Sequence, residues 1–189
     1  EIRNVSSNIM ENCSEIDAEL VIYIHPSQAN QMRAAISREL SFLLFRHHKI
    51  FNGVAVAYNL KKIGNSPRII HGVHPYMAVK LTASLLLFQP KPDSLIEGKV
   101  VKVSEDSIHL IVFGFSSAII NFQEVPNDFR VKQKHGVCAY VSRSNKGHSI
   151  KVGSFVRFLV KSWDEELMHI SGSLMAPNTG NISWLLNNP

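Results

Sequence analysis

The sequence predicts an α+β protein of two modules, a sheet covered by one helix and then a small Greek-key barrel. Hydrophobic residues alternate in residues 17–24 and recur at helical spacing in residues 32–44, which indicates a strand followed by a helix. Further along, two apolar runs flank a short polar turn, and Gly114 follows the second run. A glycine suits such a barrel corner because it lacks a Cβ atom. Two more strands, in residues 155–163 and 167–174, bring the second module to five.

The first module is predicted to run β-α-β-β. Its first strand ends at His25-Pro26, and Ser27 would cap a helix that continues to about Arg46. The buried stripe of that helix is predicted to comprise Met32, Ala35, Ile36, Leu40, Leu43 and Leu44. The later elements are a strand in residues 51–59, a basic loop in 61–68, and one or two strands in 69–88. The polar residues 1–15 are expected to form an N-terminal extension, and the module covers residues 16–93.

The second module covers residues 94–175, after a short proline-containing linker. Its first strands are predicted at residues 95–103, 107–113 and 115–120. An insertion at about 122–153 follows, in a place where we expect a helix or an extended loop, and residues 176–189 form a tail. The strand pattern is that of a five-stranded OB-fold β-barrel. Barrels of this kind mostly bind oligonucleotides.

Composition excludes several classes of protein. Apolar residues make up 45% of the 189 residues and charged residues 19%, so the chain can form a core in each module. No apolar run reaches the roughly 18 residues of a membrane span, and no phosphate-binding or nucleophile-elbow motif is present. His71 and His74 form an HxxH pair, but Cys13 and Cys138 stand alone, so a zinc site lacks two ligands. We therefore predict no catalytic site, no metal, no cofactor and no membrane contact.

The insertion is basic. The chain has a net charge of +5, and residues 129–153 contain six cations and no acidic residue. The six cations are Arg130, Lys132, Lys134, Arg143, Lys146 and Lys151. One interpretation is a solvated loop. The other is a patch for single-stranded RNA, completed by Lys99 and by aromatic residues that alternation allows to be partly core: Phe113, Phe115, Tyr140 and Phe155. If all six cations contacted RNA phosphates, a plot of the logarithm of the binding constant against the logarithm of the salt concentration would have a slope of about −4.

Five segments carry a resemblance to a known family. They are ELVIYIHP at residues 19–26, HGVHPY at 71–76, LFQPKP at 87–92, the run at 95–120, and HISGSLMAPNTGNISWL from His169. In order and spacing they resemble the OB-carrying stalk subunits of RNA polymerases. VFGFSSAII together with HISGSL is most similar to the larger, forty-three-kilodalton-type stalk subunit of eukaryotic RNA polymerase I.

The resemblance implies a non-catalytic role in the nucleus and nucleolus. The first module would be a tip domain, a truncated ribonucleoprotein-like fold, that docks on the polymerase I core subunits. The docking residues it implies are His25, Pro26, Lys61, Lys62, Gly64, His71, Gly72, His74, Pro75 and Tyr76. The barrel would face outward, near nascent RNA. The further partners implied are the polymerase I initiation factor, for transcription of ribosomal RNA genes, and a smaller stalk subunit.

Two other functions remain open from the residues alone. One is a free-standing RNA-binding OB-fold protein. The other is the homologous stalk subunit of RNA polymerase II or III. The proteins that co-purify with the chain distinguish all three.

Overall fold

The computed structural model describes residues 12–64, 67–70, 75–134, 137–145 and 147–187. The chain divides into two compact units. The N-terminal unit is Cys13–Gln89, and the barrel unit is the chain from Pro90 onward together with Asn12. The Asn12 side chain accepts hydrogen bonds from the Lys91 N–H and the Ser94 hydroxyl, which ties it to the barrel unit.

The N-terminal unit is an antiparallel sheet with one helix on one face. A 3₁₀ turn over Pro26–Gln31 leads into the helix. The strand order is β1-β5-β3-β2, and β4 pairs with β5. The elements are β1 (Cys13–Ile24), α1 (Met32–Ser41), β2 (His47–His48), β3 (Gly53–Ile63), β4 (Arg68–Ile69) and β5 (Met77–Phe88). This is the predicted β-α-β-β arrangement with two short strands added.

The predicted helix differs at both ends. His25, rather than Ser27, caps the 3₁₀ turn, because its Nδ1 atom accepts a hydrogen bond from the Ser27 N–H. The helix ends at Ser41, well before Arg46, and the chain turns away at Phe45, whose φ is +57°. The predicted stripe is nevertheless the one that packs on the sheet: Ala35, Ile36 and Leu40 are buried, and Met32, Leu43 and Leu44 pack beside them.

The strands of the N-terminal unit are longer than predicted. β1 begins at Cys13 rather than at residue 17, and it pairs with β5 along its whole length. β3 continues to Ile63, so that Lys61 and Lys62 lie in a strand and not in a loop. One face of the sheet is not covered by the described helix, so the strands carry polar side chains on that face. Those polar residues made the strand ends look like an extension and a loop in the sequence.

The barrel unit contains a closed ring of five strands. They are β6 (Leu95–Val103), β7 (Ser107–Val112), β8 (Ser116–Asn121), β12 (Phe155–Asp164) and β13 (His169–Ser173). Each strand pairs with the next in the order β6-β7-β8-β13-β12, and β12 pairs back with β6. The β8–β13 pair is parallel and the others are antiparallel. The predicted OB-fold barrel is confirmed.

The barrel core fits closely around one glycine. Ile108, Ile120, Phe158 and Ile170 have no exposed surface. Gly172 lies among them on β13, and a Cβ atom there would be 2.4 Å from the Phe158 ring and 3.2 Å from Ile120. The sequence segment HISGSL therefore needs its glycine for packing.

The insertion between β8 and β12 begins with a 3₁₀ turn over Phe122–Glu124 and is otherwise built on strands, not on the predicted helix or extended loop. It forms a separate three-stranded sheet in the order β11-β10-β9. The strands are β9 (Phe129–Lys134), β10 (Val137–Ser142) and β11 (Ser149–Ile150). Tyr140 is fully buried and its hydroxyl donates to the Glu105 carbonyl at 2.8 Å, which fastens the sheet to the β6–β7 turn. The alternation of apolar and charged residues in this segment indicates strands. The charged residues also suit a solvated loop, and for that reason the strands were not predicted.

The C-terminal segment is fastened to the insertion by a cluster that we call the C-terminal clamp: Phe129, His148, Asn181 and Trp184. The short strand β14 (Gly180–Asn181) pairs with β12, and α2 (Ile182–Leu185) follows. The buried His148 ring stacks on Trp184 with 4.2 Å between centroids and meets Phe129 edge-on. Its Nε2 atom accepts a hydrogen bond from the Asn181 N–H at 3.1 Å.

The clamp predicts a loss of stability at acidic pH. Burial lowers the pKa of His148, and the charge of Asp128 only partly opposes this. The folded state therefore favours neutral His148. The contribution of His148 to the free energy of unfolding is complete above its pKa in the unfolded chain, about 6.5, and is lost as pH falls through its lower pKa in the folded protein. Urea unfolding of the wild type and His148→Gln between pH 7.5 and 5.5 measures this. The stability difference between them should shrink with falling pH; a constant difference would contradict the prediction.

Candidate interaction surfaces

The first candidate surface lies at one end of the N-terminal unit, and we call it the tip surface: His25, Pro26, Ile69, Ile70, Pro75 and Tyr76. The His25 and Tyr76 rings meet edge-on, with 5.9 Å between centroids. The Ile70 N–H donates to the Tyr76 carbonyl at 2.9 Å and holds the two chain segments together. Ile69 is 65% exposed and Tyr76 40%. The surface is therefore apolar, ordered by backbone hydrogen bonds and open to solvent.

The predicted docking residues fall into separate groups. His25, Pro26, Pro75 and Tyr76 lie in the tip surface. Lys61, Lys62 and Gly64 lie at the end of β3, where the Gly64 N–H donates to the Lys80 carbonyl and Lys61 forms an ion pair with Asp17. His71, Gly72 and His74 are outside the described residues. The docking loop that the resemblance implies, at about residues 60–75, contains Ile69 and Ile70 without singling them out, although two adjacent β-branched residues before HGVHPY were a usable signal.

The second candidate surface is a groove of about 610 Å³ on the barrel, which we call the barrel groove. Its apolar lining includes Phe113 and Phe155, which are 44% and 55% exposed. Lys99 lies in the same groove, because its backbone pairs with both Phe155 and Ile111. The remaining lining residues are Asn12, Leu95, Ile96, Glu97, Gly98, Val101, Ile111 and Gly114.

Phe113 is held in an unusual backbone conformation. It and Gly114 form the turn between β7 and β8, with φ values of +50° and +81°. Positive φ at both positions is the pattern of the tight type I′ hairpin, in which Asn or Gly usually fills the first position. A bulky residue there costs about 1–2 kcal/mol. This strain is a reason to look for a function of the exposed ring.

The third candidate surface is the basic hairpin formed by β9 and β10. Arg130 and Lys132 are both exposed and lie on one face of β9, since side chains two apart in a strand share a face. The backbone of Lys134 continues β9, but its side chain and all of Lys146 are outside what the structure describes.

The predicted RNA-binding residues are thus divided. The structure brings Lys99, Phe113 and Phe155 together in the barrel groove, whereas Tyr140 is fully buried and offers no ring for stacking. Phe115 is half-buried beyond the turn. Arg130 and Lys132 lie on a different sheet, and Arg143 and Lys151 are exposed in the connections beyond β10 and β11. The single RNA-binding patch suggested by the sequence therefore draws on two different sheets and stays a prediction.

Two further features of the described residues concern metal binding and membrane insertion. No three His, Cys, Asp or Glu side chains come close enough together there to hold a metal ion. None of the helices described has the length and apolarity that crossing a membrane requires.

Comparison with known proteins gives consistent relatives. No family model matches the chain. It is 26% identical over 153 residues to a Dictyostelium discoideum protein named probable DNA-directed RNA polymerase I subunit RPA43. It is also 23% identical over 164 residues to subunit rpa43 of Schizosaccharomyces pombe, and 28% identical over 99 residues to human RPA43. The chain is similar to subunit RPA43 of RNA polymerase I. The resemblance stated from the sequence is confirmed.

The extent of the match to RPA43 differs between relatives. The alignments cover 80% and 82% of this chain for Dictyostelium and S. pombe and 52% for the human protein. Conversely, they span 42% of the Dictyostelium protein, 92% of the S. pombe protein and 29% of human RPA43. Among solved structures, the match to GSP13 of Bacillus subtilis covers 47% of this chain and 61% of the GSP13 chain, at 20% sequence identity. Its TM-score of 0.33 is too low to support an argument about fold or function.

Proposed function

We propose that this chain is a non-catalytic stalk subunit of DNA-directed RNA polymerase I that acts in the nucleus. One observation carries the proposal: relatives named as RPA43 match about four-fifths of the chain, a stretch too long to lie within either unit alone. The sequence supports a non-catalytic role, because it contains no nucleophile-elbow motif and no phosphate-binding loop. The subunit would contribute binding surfaces rather than chemistry.

The tip surface is the proposed site of docking on the polymerase core. Exposed apolar residues that adjoin one another mark protein interfaces, because water is excluded when a partner covers them. Burying one large side chain fully contributes about 1.5–3 kcal/mol. Ile69, Ile70 and Tyr76 together can therefore support a stable contact. The cations Lys61 and Lys62 on β3 would lie outside its apolar centre and contribute less, since exposed charges are screened.

Co-purification tests docking. A tagged chain carrying Tyr76→Glu or Ile69→Glu should recover at least tenfold less of the largest polymerase I subunit than the wild type. Each change places a charge where an apolar contact forms. Ile50→Glu is the matched control, because Ile50 lies in the same unit, is 91% exposed and is not part of the tip surface. Equal recovery by all variants would contradict docking at this surface.

The same purification tests the function itself. Ribosomal proteins without polymerase subunits would instead identify a free-standing RNA-binding protein. The largest subunit of polymerase II or III would assign the chain to the homologous stalk of that enzyme. If the wild type recovers polymerase I and the tip variants do not, both the function and the docking surface are supported. If all variants recover polymerase I equally, the function is supported and the proposed surface is wrong.

Within the assembled enzyme, we infer roles in initiation and in RNA contact. The subunit would help recruit the initiation factor for ribosomal RNA genes in the nucleolus, alongside a smaller stalk subunit. Polymerase I assembled with and without the chain should differ in its retention of the initiation factor. Equal retention would contradict recruitment.

RNA contact is proposed at the barrel groove, where Lys99, Phe113 and Phe155 lie together. Exposed aromatic rings stack on bases, at about 1–3 kcal/mol per base. Phe113→Asn should relieve strain in the turn and stabilise the fold by about 1 kcal/mol, yet weaken binding of a twelve-nucleotide oligouridylate about tenfold. Phe122→Ala is the matched control, since Phe122 is exposed outside the groove. Equal binding by both variants would contradict the site.

The salt dependence separates the groove from the hairpin as the source of cations. Lys99 alone gives a slope of about −0.7, whereas six engaged cations give about −4. Fluorescence anisotropy between 50 and 200 mM salt measures the slope. No binding at the lowest salt would contradict RNA contact altogether.

A further inference from the structure

The basic hairpin leaves one strand edge open. In the three-stranded sheet β9 is the outer strand, and among the described residues its only hydrogen-bonded neighbour is β10. The outer side of such a strand presents backbone N–H and C=O groups that can pair with another chain.

The register fixes which backbone groups face that open edge. The Arg143 N–H donates to the Asp128 carbonyl at 2.9 Å, so these opposite residues form a hydrogen-bonded pair. Hydrogen-bonded and non-bonded pairs alternate along an antiparallel ladder. Arg130 and Lys132 therefore pair inward with Val141 and Ala139, and Val131 and Gln133 direct their N–H and C=O groups outward.

The charge of the side chains on β9 determines which partner strands its open edge would attract. Arg130 and Lys132 project from one face of β9, beside Val141 and Ala139 on β10. The sequence has no acidic residue from 129 to 153. A strand added along β9 would place alternate side chains next to these two cations. Acidic residues at those positions would be attracted, and basic ones repelled.

The edge is also held in place before any partner arrives. The buried Tyr140 anchors β10 through the Glu105 carbonyl, and Phe129 at the start of β9 packs against His148. A preformed strand loses little conformational freedom when a partner binds.

We propose that the open edge of β9 binds an extended acidic segment of another protein as a fourth strand, with acidic side chains at alternate positions. Main-chain hydrogen bonds to Val131 and Gln133 supply affinity, and Arg130 and Lys132 select the acidic pattern. This is recognition by strand addition. It goes beyond the proposed place in a polymerase and does not depend on it.

The test uses the full chain and a labelled, end-blocked nine-residue peptide in which glutamate alternates with threonine. Fluorescence anisotropy at 50 mM salt should show binding, and saturation should slow amide exchange at Val131 and Gln133 at least tenfold. The double variant Arg130→Glu/Lys132→Glu should bind at least tenfold more weakly. It should instead prefer a peptide with lysine in place of glutamate. Lys91→Glu/Lys102→Glu changes net charge equally at exposed sites outside β9 and should bind normally.

A second peptide separates strand addition from charge attraction. Methylating the backbone nitrogens on the side that would face β9 removes hydrogen bonds and leaves every charge, so binding should fall at least tenfold. Equal binding by the methylated peptide would overturn the proposal. So would no binding at all, which would mean that the cations only shield the edge. An oligouridylate that binds in the peptide's place, with the same dependence on Arg130 and Lys132, would assign the hairpin to nucleic acid.

Discussion

The substitution Gly172→Val is expected to lower the free energy of unfolding of the barrel unit by about 3 kcal/mol, the upper end of the cost of overpacking a core. Position 172 has no room for a side chain, since a Cβ atom would overlap the Phe158 ring at 2.4 Å. Phe158 is itself fully enclosed and cannot move aside. Urea unfolding followed by circular dichroism measures the loss as a lower midpoint at an unchanged slope.

Two further variants show whether packing is the cause. Ser171→Val adds the same side chain one residue earlier on β13, at a half-buried position, and should cost far less. Phe158→Leu placed in a Gly172→Ala background should recover part of the stability that Gly172→Ala alone removes. If Ser171→Val were as damaging as Gly172→Val, or if Phe158→Leu gave no recovery, the explanation by contact with Phe158 would be wrong.

Trp184→Ala is expected to cost about 2 kcal/mol, less than a fully enclosed tryptophan because the ring is only half-buried. It removes the ring that stacks on His148. The loss should be local: amide exchange should accelerate in residues 180–187 and in β11, while the N-terminal unit stays protected. Leu186→Ala, in the same segment but largely exposed, is the control. Uniform acceleration throughout the chain would show that the clamp does not act locally.

The fold could be predicted because periodicity follows burial. The helix stripe from Met32 to Leu44 and the alternation from Ala18 to Ile24 both face one core, and each was recognisable without the structure. The helix end was not, because Phe42 to Arg46 continue a plausible helical composition. What ends the helix is a backbone turn at Phe45, and its N–H pairs with the Ala55 carbonyl, a contact distant in sequence.

The surfaces were harder to predict than the fold. Lys99 and Phe113 belong together because the register sets Ile111 opposite Lys99, and register cannot be read from composition. The cations of the insertion looked like one patch because they are close in sequence. Strand pairing instead places Arg130 and Lys132 on a separate sheet. The sequence pattern predicts that Ile69 and Ile70 begin a strand, and only their exposure reveals them as surface residues.

The order in which the barrel strands close bears on how the chain is made. β13, the last of the five ring strands in sequence order, is the strand that joins β8 to β12. Until the ribosome has released residues 169–173, the nascent barrel therefore has two unpaired strand edges, which are sites of aggregation. The N-terminal unit has all its strands once Gln89 has emerged. We expect the two units to mature at different times during synthesis, and the barrel to be the one that needs a chaperone.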